Sequence, residues 1–137
     1  MSETIFTKII NREIPGHFIY EDEVCVAILD AFPAVAGQTL VIPREPVDYV
    51  FDLDDATYLH VFAVAKKIAT ALDIELKTER TCMVLEGFEV PHAHLKLYPV
   101  PDTTPLGQVL PNQTKGDPES LAALATQLKT ALADTLA

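Results

Sequence analysis

Apolar positions change their period along the chain, and each period indicates an element of secondary structure. Near the N-terminus they recur at helical spacing and soon meet Pro15, which predicts a short helix built on Ile5, Phe6, Ile9 and Ile10. Two strand-like runs follow at 17–21 and 24–29. The turn-prone pair Asp22-Glu23 separates them, so we expect a hairpin. A third short strand is predicted over 39–42, before Pro43.

The second half of the chain begins with a long amphipathic helix that Asp54 or Asp55 can cap. Its predicted buried stripe consists of Tyr58, Val61, Phe62, Ala65, Ile68, Ala69 and Leu72. Strands are predicted over 81–85 and 93–98, joined by a loop around Gly87. Prolines and glycines interrupt residues 99–116, where no regular structure is expected. The last helix has Asp117 as its cap and Pro118 at its first position. Its apolar stripe is Leu121, Leu124, Leu128, Leu132 and Leu136.

This order of elements predicts an α+β fold: an antiparallel sheet of about five strands, a long central helix and a C-terminal helix. The 137 residues are 49% apolar, which suits one compact domain over 1–137. Within it, residues 1–100 carry the patterned core, and residues 101–137 add the Pro-rich segment and the last helix.

The charge narrows the range of partners. A net charge of −10 repels nucleic-acid polymers and anionic membrane surfaces, whereas a local cationic site can still hold a small phosphorylated ligand. Cys25 and Cys82 lie in apolar runs and are expected to be buried free thiols in a reducing compartment. With no apolar stretch near 18 residues and no signal-like N-terminus, we expect a cytoplasmic protein with no membrane association.

The segment from His92 to Pro99 holds the candidate chemistry. Read as a strand, it places His92, His94 and Lys96 on one face, about 6.8 Å apart, and directs Ala93, Leu95 and Leu97 toward a core. One interpretation is an ordinary half-exposed sheet face. A second is zinc binding, although further ligands would have to come from His17 or His60. The third is attack by a neutral imidazole on phosphorus, with cationic groups stabilising the developing charge.

Four motifs in order resemble the histidine-triad (HIT) superfamily. They are the opening helix and turn (4–15), the first hairpin (20–30), the strand Gly37-Gln38-Thr39-Leu40-Val41-Ile42-Pro43, and the signature segment (90–99). The resemblance implies a HIT-like fold. It also implies a nucleotide hydrolase or transferase that acts at the α-phosphorus of nucleoside phosphoramidates or dinucleoside polyphosphates. Such an enzyme forms a nucleotidyl-histidine intermediate.

The same resemblance implies a role for individual residues. His94 matches the nucleophile, and His92 matches the histidine that orients it. Asp30 matches the acid that binds the ribose hydroxyls. The apolar pocket for a purine base corresponds to Ile5, Phe6, Ile9 and Ile28. A homodimer with joined sheets is also implied.

Several positions depart from the family pattern. Lys96 replaces the third histidine, and Gln38 stands where another catalytic-site histidine is usual. Glu89 occupies a phosphate-contacting position that is usually a serine or threonine. Two outcomes follow: an enzyme with an altered leaving-group preference, or a nucleotide-binding protein with little or no turnover.

A second set of departures concerns metal. Thr4 and Thr7 stand where zinc-binding members carry cysteines, and Pro46 stands where they carry a histidine. We therefore expect neither a metal site nor a cofactor.

Overall fold

A five-stranded antiparallel sheet forms the centre of the molecule. The computed structural model describes residues 3–136, with side chains from 3 to 133. The strands are β1 (His17–Glu21), β2 (Cys25–Leu29), β3 (Thr39–Pro43), β4 (Arg80–Val84) and β5 (Leu95–Val100). Their order in the sheet is β1-β2-β3-β5-β4, and all neighbours are antiparallel. The predicted α+β fold is confirmed. Of the predicted range 1–137, residues 1, 2 and 137 lie outside the described residues.

The helices are α1 (Ile5–Ile10), α2 (Asp55–Leu76), α3 (Leu106–Val109) and α4 (Pro118–Leu136), with 3₁₀ turns at Val50–Asp52 and Leu110–Asn112. The predicted N-terminal, central and C-terminal helices are confirmed. The expectation of no regular structure over 99–116 is wrong, because α3 and the second 3₁₀ turn lie there. Pro105 is the N-cap of α3 and Pro111 lies in the first turn of the 3₁₀ helix, where a missing N–H breaks no intrahelical bond.

Carboxylate caps fix the starts of the two long helices. Asp54, not Asp55, caps α2 by accepting a hydrogen bond from the backbone N–H of Thr57 at 2.8 Å. Asp117 caps α4 in the same way, through the N–H of Ser120 at 2.9 Å. The last predicted member of the α4 stripe, Leu136, lies outside the residues whose side chains are described.

The two faces of the sheet are covered differently. Helices α2 and α4 pack on one face, where Ala27, Val41 and Leu97 point from the strands into the main core. On the other face α1 covers β2 and β3, with Phe6 and Ile9 packed on Ile28. At the far end of that face, Val109 of α3 covers Tyr98 and Val100 of β5. The part of this face between α1 and α3 is where Lys96 of β5 lies.

Strand β5 begins later than predicted, and this changes the signature segment. The predicted strand 93–98 is observed at Leu95–Val100, so His92 and His94 lie in the irregular stretch before it. The cause is Pro43 at the end of β3, which has no N–H to continue the ladder. The pairing of β3 with β5 ends at Val41 opposite Leu95, and the N–H of Ala93 bonds to the carbonyl of Val47 at 2.7 Å instead.

Both cysteines are free, as predicted, although only Cys25 is fully buried and Cys82 is half-buried. None of the helices in the described part of the chain combines the length and the apolar character needed to cross a bilayer.

Candidate functional site

His92 is a fully buried residue that ties three parts of the chain together. The carbonyl of Pro43 can only accept a hydrogen bond, so Nε2 of His92 donates to it, at 2.8 Å. In the neutral ring, Nδ1 is then an acceptor, and the hydroxyl of Thr4 donates to it at 3.0 Å. Burial lowers the pKa of His92, which favours this neutral form. The interpretation as a half-exposed sheet face is wrong for this residue.

His94 has its ring oriented by the backbone of His92. Its Nδ1 lies 2.7 Å from the carbonyl oxygen of His92, and because that oxygen only accepts, Nδ1 carries the proton. Burial lowers the pKa of His94, and the positive charge of Lys96 lowers it further, against the hydrogen bond to His92. The ring is therefore neutral near pH 7, with a lone pair on Nε2.

The Nε2 atom of His94 is left open. It makes no hydrogen bond with any described residue, while every fully buried side-chain nitrogen or oxygen in that part of the chain has a partner. Nε2 must consequently reach solvent. A neutral imidazole with a fixed tautomer and an exposed lone pair is suited to nucleophilic attack or proton abstraction.

Helix α1 forms the apolar wall beside the histidines. The ring of Phe6 meets His94 edge-on at a centroid distance of 4.8 Å and also contacts His92 at 5.9 Å. Ile9 and Ile28 pack with Phe6 in one buried cluster. Ile5 is half-exposed and lies outside that cluster. The structure therefore brings three of the four predicted pocket residues together.

Asp30 and Gln38 face each other across the ends of β2 and β3. The amide Nε2 of Gln38 donates to Oδ2 of Asp30 at 2.8 Å, and its Oε1 accepts the N–H of Ala34 at 2.7 Å. Oδ1 of Asp30 accepts the N–H of Phe32 at 2.9 Å. Gln38 is 3% exposed, so a residue expected at the reacting group is instead held in the loop that follows β2.

Lys96 lines a cavity of about 220 Å³ to which no residue of α1 contributes. The lining residues are Ala34, Gln38, Val84, Glu86, Glu89, Lys96, Tyr98, Leu110 and Gln113. Glu89 and Lys96 share this cavity, yet among the described residues they form no ion pair within 4 Å. Two carboxylates and one ammonium give the cavity a negative balance.

Sequence reasoning missed Glu86, Leu110 and Gln113. Glu86 follows β4 beside the Gly87 loop and was detectable as an acid close to Glu89. Leu110 and Gln113 belong to the Pro-rich segment, which carried no chemical motif.

A larger cavity of about 550 Å³ lies at the free edge of β1, between Arg12, Phe18 and Lys129. None of the signature histidines lines it. The signature histidines do not line the smaller cavity either, but Lys96 does, and its positive charge lowers the pKa of His94. We therefore place the chemistry beside the smaller cavity.

One further group of possible metal ligands is Asp22, Cys25 and His60, whose ligand atoms lie within 4.8 Å of one another. Asp22 already accepts four hydrogen bonds, from Tyr20 Oη, His60 Nε2 and the N–H groups of Val24 and Cys25. Against the effect of burial, these bonds hold the pKa of Asp22 well below its usual range. Burial raises the pKa of the Cys25 thiol to about 12. The group reads as a structural junction between the β1–β2 turn and α2.

Solved structures share this fold over nearly the whole chain. A Hit-like protein involved in cell-cycle regulation from Bartonella henselae superposes with a TM-score of 0.82 at 26% identity, covering 94% of this chain and 96% of its own. A zinc-bound histidine triad family protein from Mycobacterium smegmatis has a TM-score of 0.79 at 28% identity, with 96% and 94% covered.

Thr4, Thr7 and Pro46, which stand at the positions that the family resemblance associates with zinc, do not fit that metal here. Thr4 and Thr7 offer hydroxyls 3.2 Å apart that hydrogen-bond to each other, and both ring nitrogens of His92 are already engaged. Pro46 has no ligand atom in its side chain. Zinc is held in proteins by thiolates, free imidazole nitrogens and carboxylates, none of which this set supplies.

Sequence comparison leads to the same group of proteins. A HIT-like protein from Borreliella burgdorferi is 44% identical over 72 residues, which span 53% of this chain and about half (52%) of that relative. The sequence profile of the HIT domain matches residues 11–100, including Asp30, Gln38 and the whole signature segment. Membership of that family supports a nucleotide-binding or hydrolase function. With the fold, the motif order and the histidine geometry in agreement, the chain belongs to the HIT (histidine triad) family.

Proposed function

We propose that this protein is a nucleotide hydrolase or transferase that acts at the α-phosphorus of nucleoside phosphoramidates or dinucleoside polyphosphates. The observation that carries the proposal is the fixed tautomer of His94. Its Nδ1 is bound to the His92 carbonyl at 2.7 Å, and its Nε2 lone pair is open. A nucleophile with this geometry needs no prior deprotonation, because the ring is already neutral.

The proposed reaction has two steps. Nε2 of His94 attacks the α-phosphorus and a P–N bond forms while the bond from phosphorus to the leaving group breaks. The leaving group keeps the bonding electrons and takes up a proton from solvent. Water then attacks the phosphorus, the P–N bond to His94 breaks, and one water proton passes to solvent. The Lys96 ammonium stabilises the negative charge that develops on the phosphoryl oxygens in both steps. His92 carries the carbonyl that orients His94.

The nucleoside half of the substrate is assigned to the α1 side. Phe6, Ile9 and Ile28 form the apolar surface next to His94, and the proposed purine base packs there. Asp30 then accepts hydrogen bonds from the ribose hydroxyls. The leaving group occupies the cavity around Lys96. Since Glu86 and Glu89 outnumber the single ammonium there, we favour a cationic amine over a polyphosphate.

A second candidate is a nucleotide-binding protein with little turnover. It is favoured by one observation: Gln38 and Lys96 stand at two acid–base positions, and both polar atoms of Gln38 are already bonded within its own loop. Loss of an acid–base partner costs roughly 10²–10⁴ in rate, which chemistry at phosphorus can survive.

The test is steady-state turnover of an adenosine 5′-phosphoramidate of a fluorescent amine. We expect turnover by the wild type, a loss of about 10³-fold or more in His94→Ala, and no change in His17→Ala, a histidine on the β1 edge. A nucleotidyl adduct on His94, trapped by rapid quenching and located by peptide mass spectrometry, identifies the intermediate. Equal activity in wild type and His94→Ala contradicts the proposal. Inactivity of both, with adenosine monophosphate still bound, supports the binding protein.

The proposal includes a homodimer in a reducing, cytoplasmic compartment. Two free cysteines support the compartment. The dimer is supported by strand β4, which forms one edge of the sheet. Strand β4 pairs with β5 in a regular register and exposes Met83, so a second sheet can pair with it.

A further inference from the structure

Gln38 is hydrogen-bonded to Asp30 through both its side chain and its backbone. Its amide orientation is unambiguous, because only the oxygen can accept the N–H of Ala34. The NH₂ group is thereby directed at Oδ2 of Asp30, at 2.8 Å. A backbone hydrogen bond also connects the two residues, since the N–H of Asp30 donates to the carbonyl of Gln38 at 2.9 Å.

The Asp30 carboxylate is consequently held at both oxygens. Oδ1 accepts the N–H of Phe32 and Oδ2 accepts the Gln38 amide, which leaves further lone pairs on each oxygen for a ligand. Asp30 itself is half-exposed, whereas Gln38 is buried beneath it. A buried amide thus fixes the rotamer of a carboxylate that solvent and ligands can reach.

The loop between these two residues is also anchored from outside. The N–H of Gly116 donates to the carbonyl of Ala31 at 2.8 Å, and the N–H of Thr114 donates to that of Pro33 at 3.2 Å. Gly37 closes the loop at a φ of +88°, where a Cβ would collide with Leu76 and approach Pro99 to 3.1 Å. The Gln38 amide oxygen adds one more anchor to this loop, at the N–H of Ala34, while its NH₂ group orients the Asp30 side chain.

We infer that Gln38 is a positioning residue that presents Asp30 to the ribose hydroxyls of the nucleotide, so that it sets ribose selectivity and takes no part in proton transfer. This rests on the proposed function, because it assumes a nucleotide in the site. An orienting hydrogen bond to a carboxylate lowers the cost of fixing that group when the ligand binds, so its loss weakens only the contacts that Asp30 makes.

The experiment is equilibrium binding of adenosine monophosphate and of its 2′,3′-dideoxy analogue, by calorimetry. The proteins are the wild type, Gln38→Met, Gln38→Glu and Asp30→Asn. We expect the wild type to prefer the ribonucleotide by about tenfold or more, as hydrogen bonds to a charged group allow. Gln38→Met keeps the shape of the side chain but loses the amide. Gln38→Glu can still accept the Ala34 N–H but repels Asp30. Both should reduce the preference to the level of Asp30→Asn, while affinity for the dideoxy analogue stays within about twofold.

The outcomes separate this inference from the function on which it rests. If the wild type binds neither nucleotide, the proposed function is wrong and the inference falls with it. If the wild type prefers the ribonucleotide and both Gln38 variants keep that preference, only the inference is overturned. An equal loss of affinity for both nucleotides in both variants indicates a structural role and also overturns it. Gln38→Met and Gln38→Glu differ in charge and hydrogen bonding, so if one of them fails to fold, the other still tests the inference.

Discussion

The imidazole of His94 donates from Nδ1 to the backbone carbonyl of His92 at 2.7 Å, so one histidine fixes the tautomer of the other through its main chain. The side chain of His92 is in turn held at both ring nitrogens, by Thr4 and by Pro43. The orientation of Nε2 of His94 therefore depends on residues that are far apart in the sequence. Perturbing either the charge near His94 or the support of His92 tests this arrangement.

The acid limb of the pH–rate profile should lie below the ordinary histidine pKa of about 6.5. In the proposed mechanism only the neutral ring of His94 attacks, so activity falls as the pH drops through its pKa, and burial and the Lys96 charge lower that pKa. Lys96→Met removes the nearby cation, so the His94 pKa rises and the limb moves to higher pH. The measurement is kcat/KM against pH. Lys66→Met, on the exposed side of α2, is the control, and a Lys96→Met limb that stays in place contradicts the electrostatic coupling.

Removing the Thr4 hydroxyl should destabilise the fold. Thr4 caps α1 by accepting the N–H of Thr7 at 3.2 Å and donates to the buried Nδ1 of His92. Thr4→Val keeps the shape and loses both bonds, so we expect a decrease of about 1–2 kcal/mol in the free energy of unfolding. Chemical denaturation measures it. Thr4→Ser retains the hydroxyl and should recover most of the stability, whereas a larger loss in Thr4→Ser than in Thr4→Val would point to packing of the methyl group.

Local patterns were sufficient to predict most of the fold. The periods of the apolar residues located every long helix and strand, because the residues that line the buried face of an element recur at a fixed short spacing in the sequence. Asp30 and Gln38 were identified only through the resemblance to the HIT family, because no local pattern marks either residue. The resemblance to a family added the ribose and nucleophile roles that spacing alone could not provide.

Contacts between distant parts of the chain could not be predicted. Strand β5 starts at Leu95 because Pro43 ends the neighbouring ladder and Val47 captures the N–H of Ala93. The partnership of Thr4 with His92 joins residues 88 positions apart. Leu110 and Gln113 reach the Lys96 cavity only through the folding of a segment without periodicity. Each of these depends on tertiary packing, which a local pattern does not encode.

The two sheet edges differ in their capacity for pairing, which predicts the dimer interface. The β1 edge has a register shift between Phe18 and Tyr20, and Glu21 there is paired with Arg12 and Arg44; both features block strand addition. Strand β4 has neither feature. We expect sedimentation to show a dimer that Met83→Lys weakens by roughly tenfold or more and that His17→Lys, on the β1 edge, leaves intact. A dimer sensitive only to His17→Lys would place the interface at β1.

The carboxylates of the Lys96 cavity predict which leaving groups are accepted. Glu86 and Glu89 are exposed, so water screens them, and each is expected to change the rate by only roughly threefold. Glu89→Gln should lower kcat/KM for an adenosine phosphoramidate whose leaving amine also carries a separate ammonium group. The same change should raise kcat/KM for a diadenosine polyphosphate, whose leaving group is anionic. Combining it with Glu86→Gln should enlarge both effects.

The decisive result is that Glu89→Gln changes kcat/KM in opposite directions for the phosphoramidate and the diadenosine polyphosphate. A Glu89 variant that merely disturbed the site would slow both reactions, and Glu45→Gln, an exposed carboxylate outside the cavity, should change neither. If Glu89→Gln leaves the ratio of the two kcat/KM values unaltered, the charge of the cavity does not select the leaving group. Selection would then have to come from shape, and the neutral lining residues Leu110 and Gln113 of the Pro-rich segment become the positions to vary.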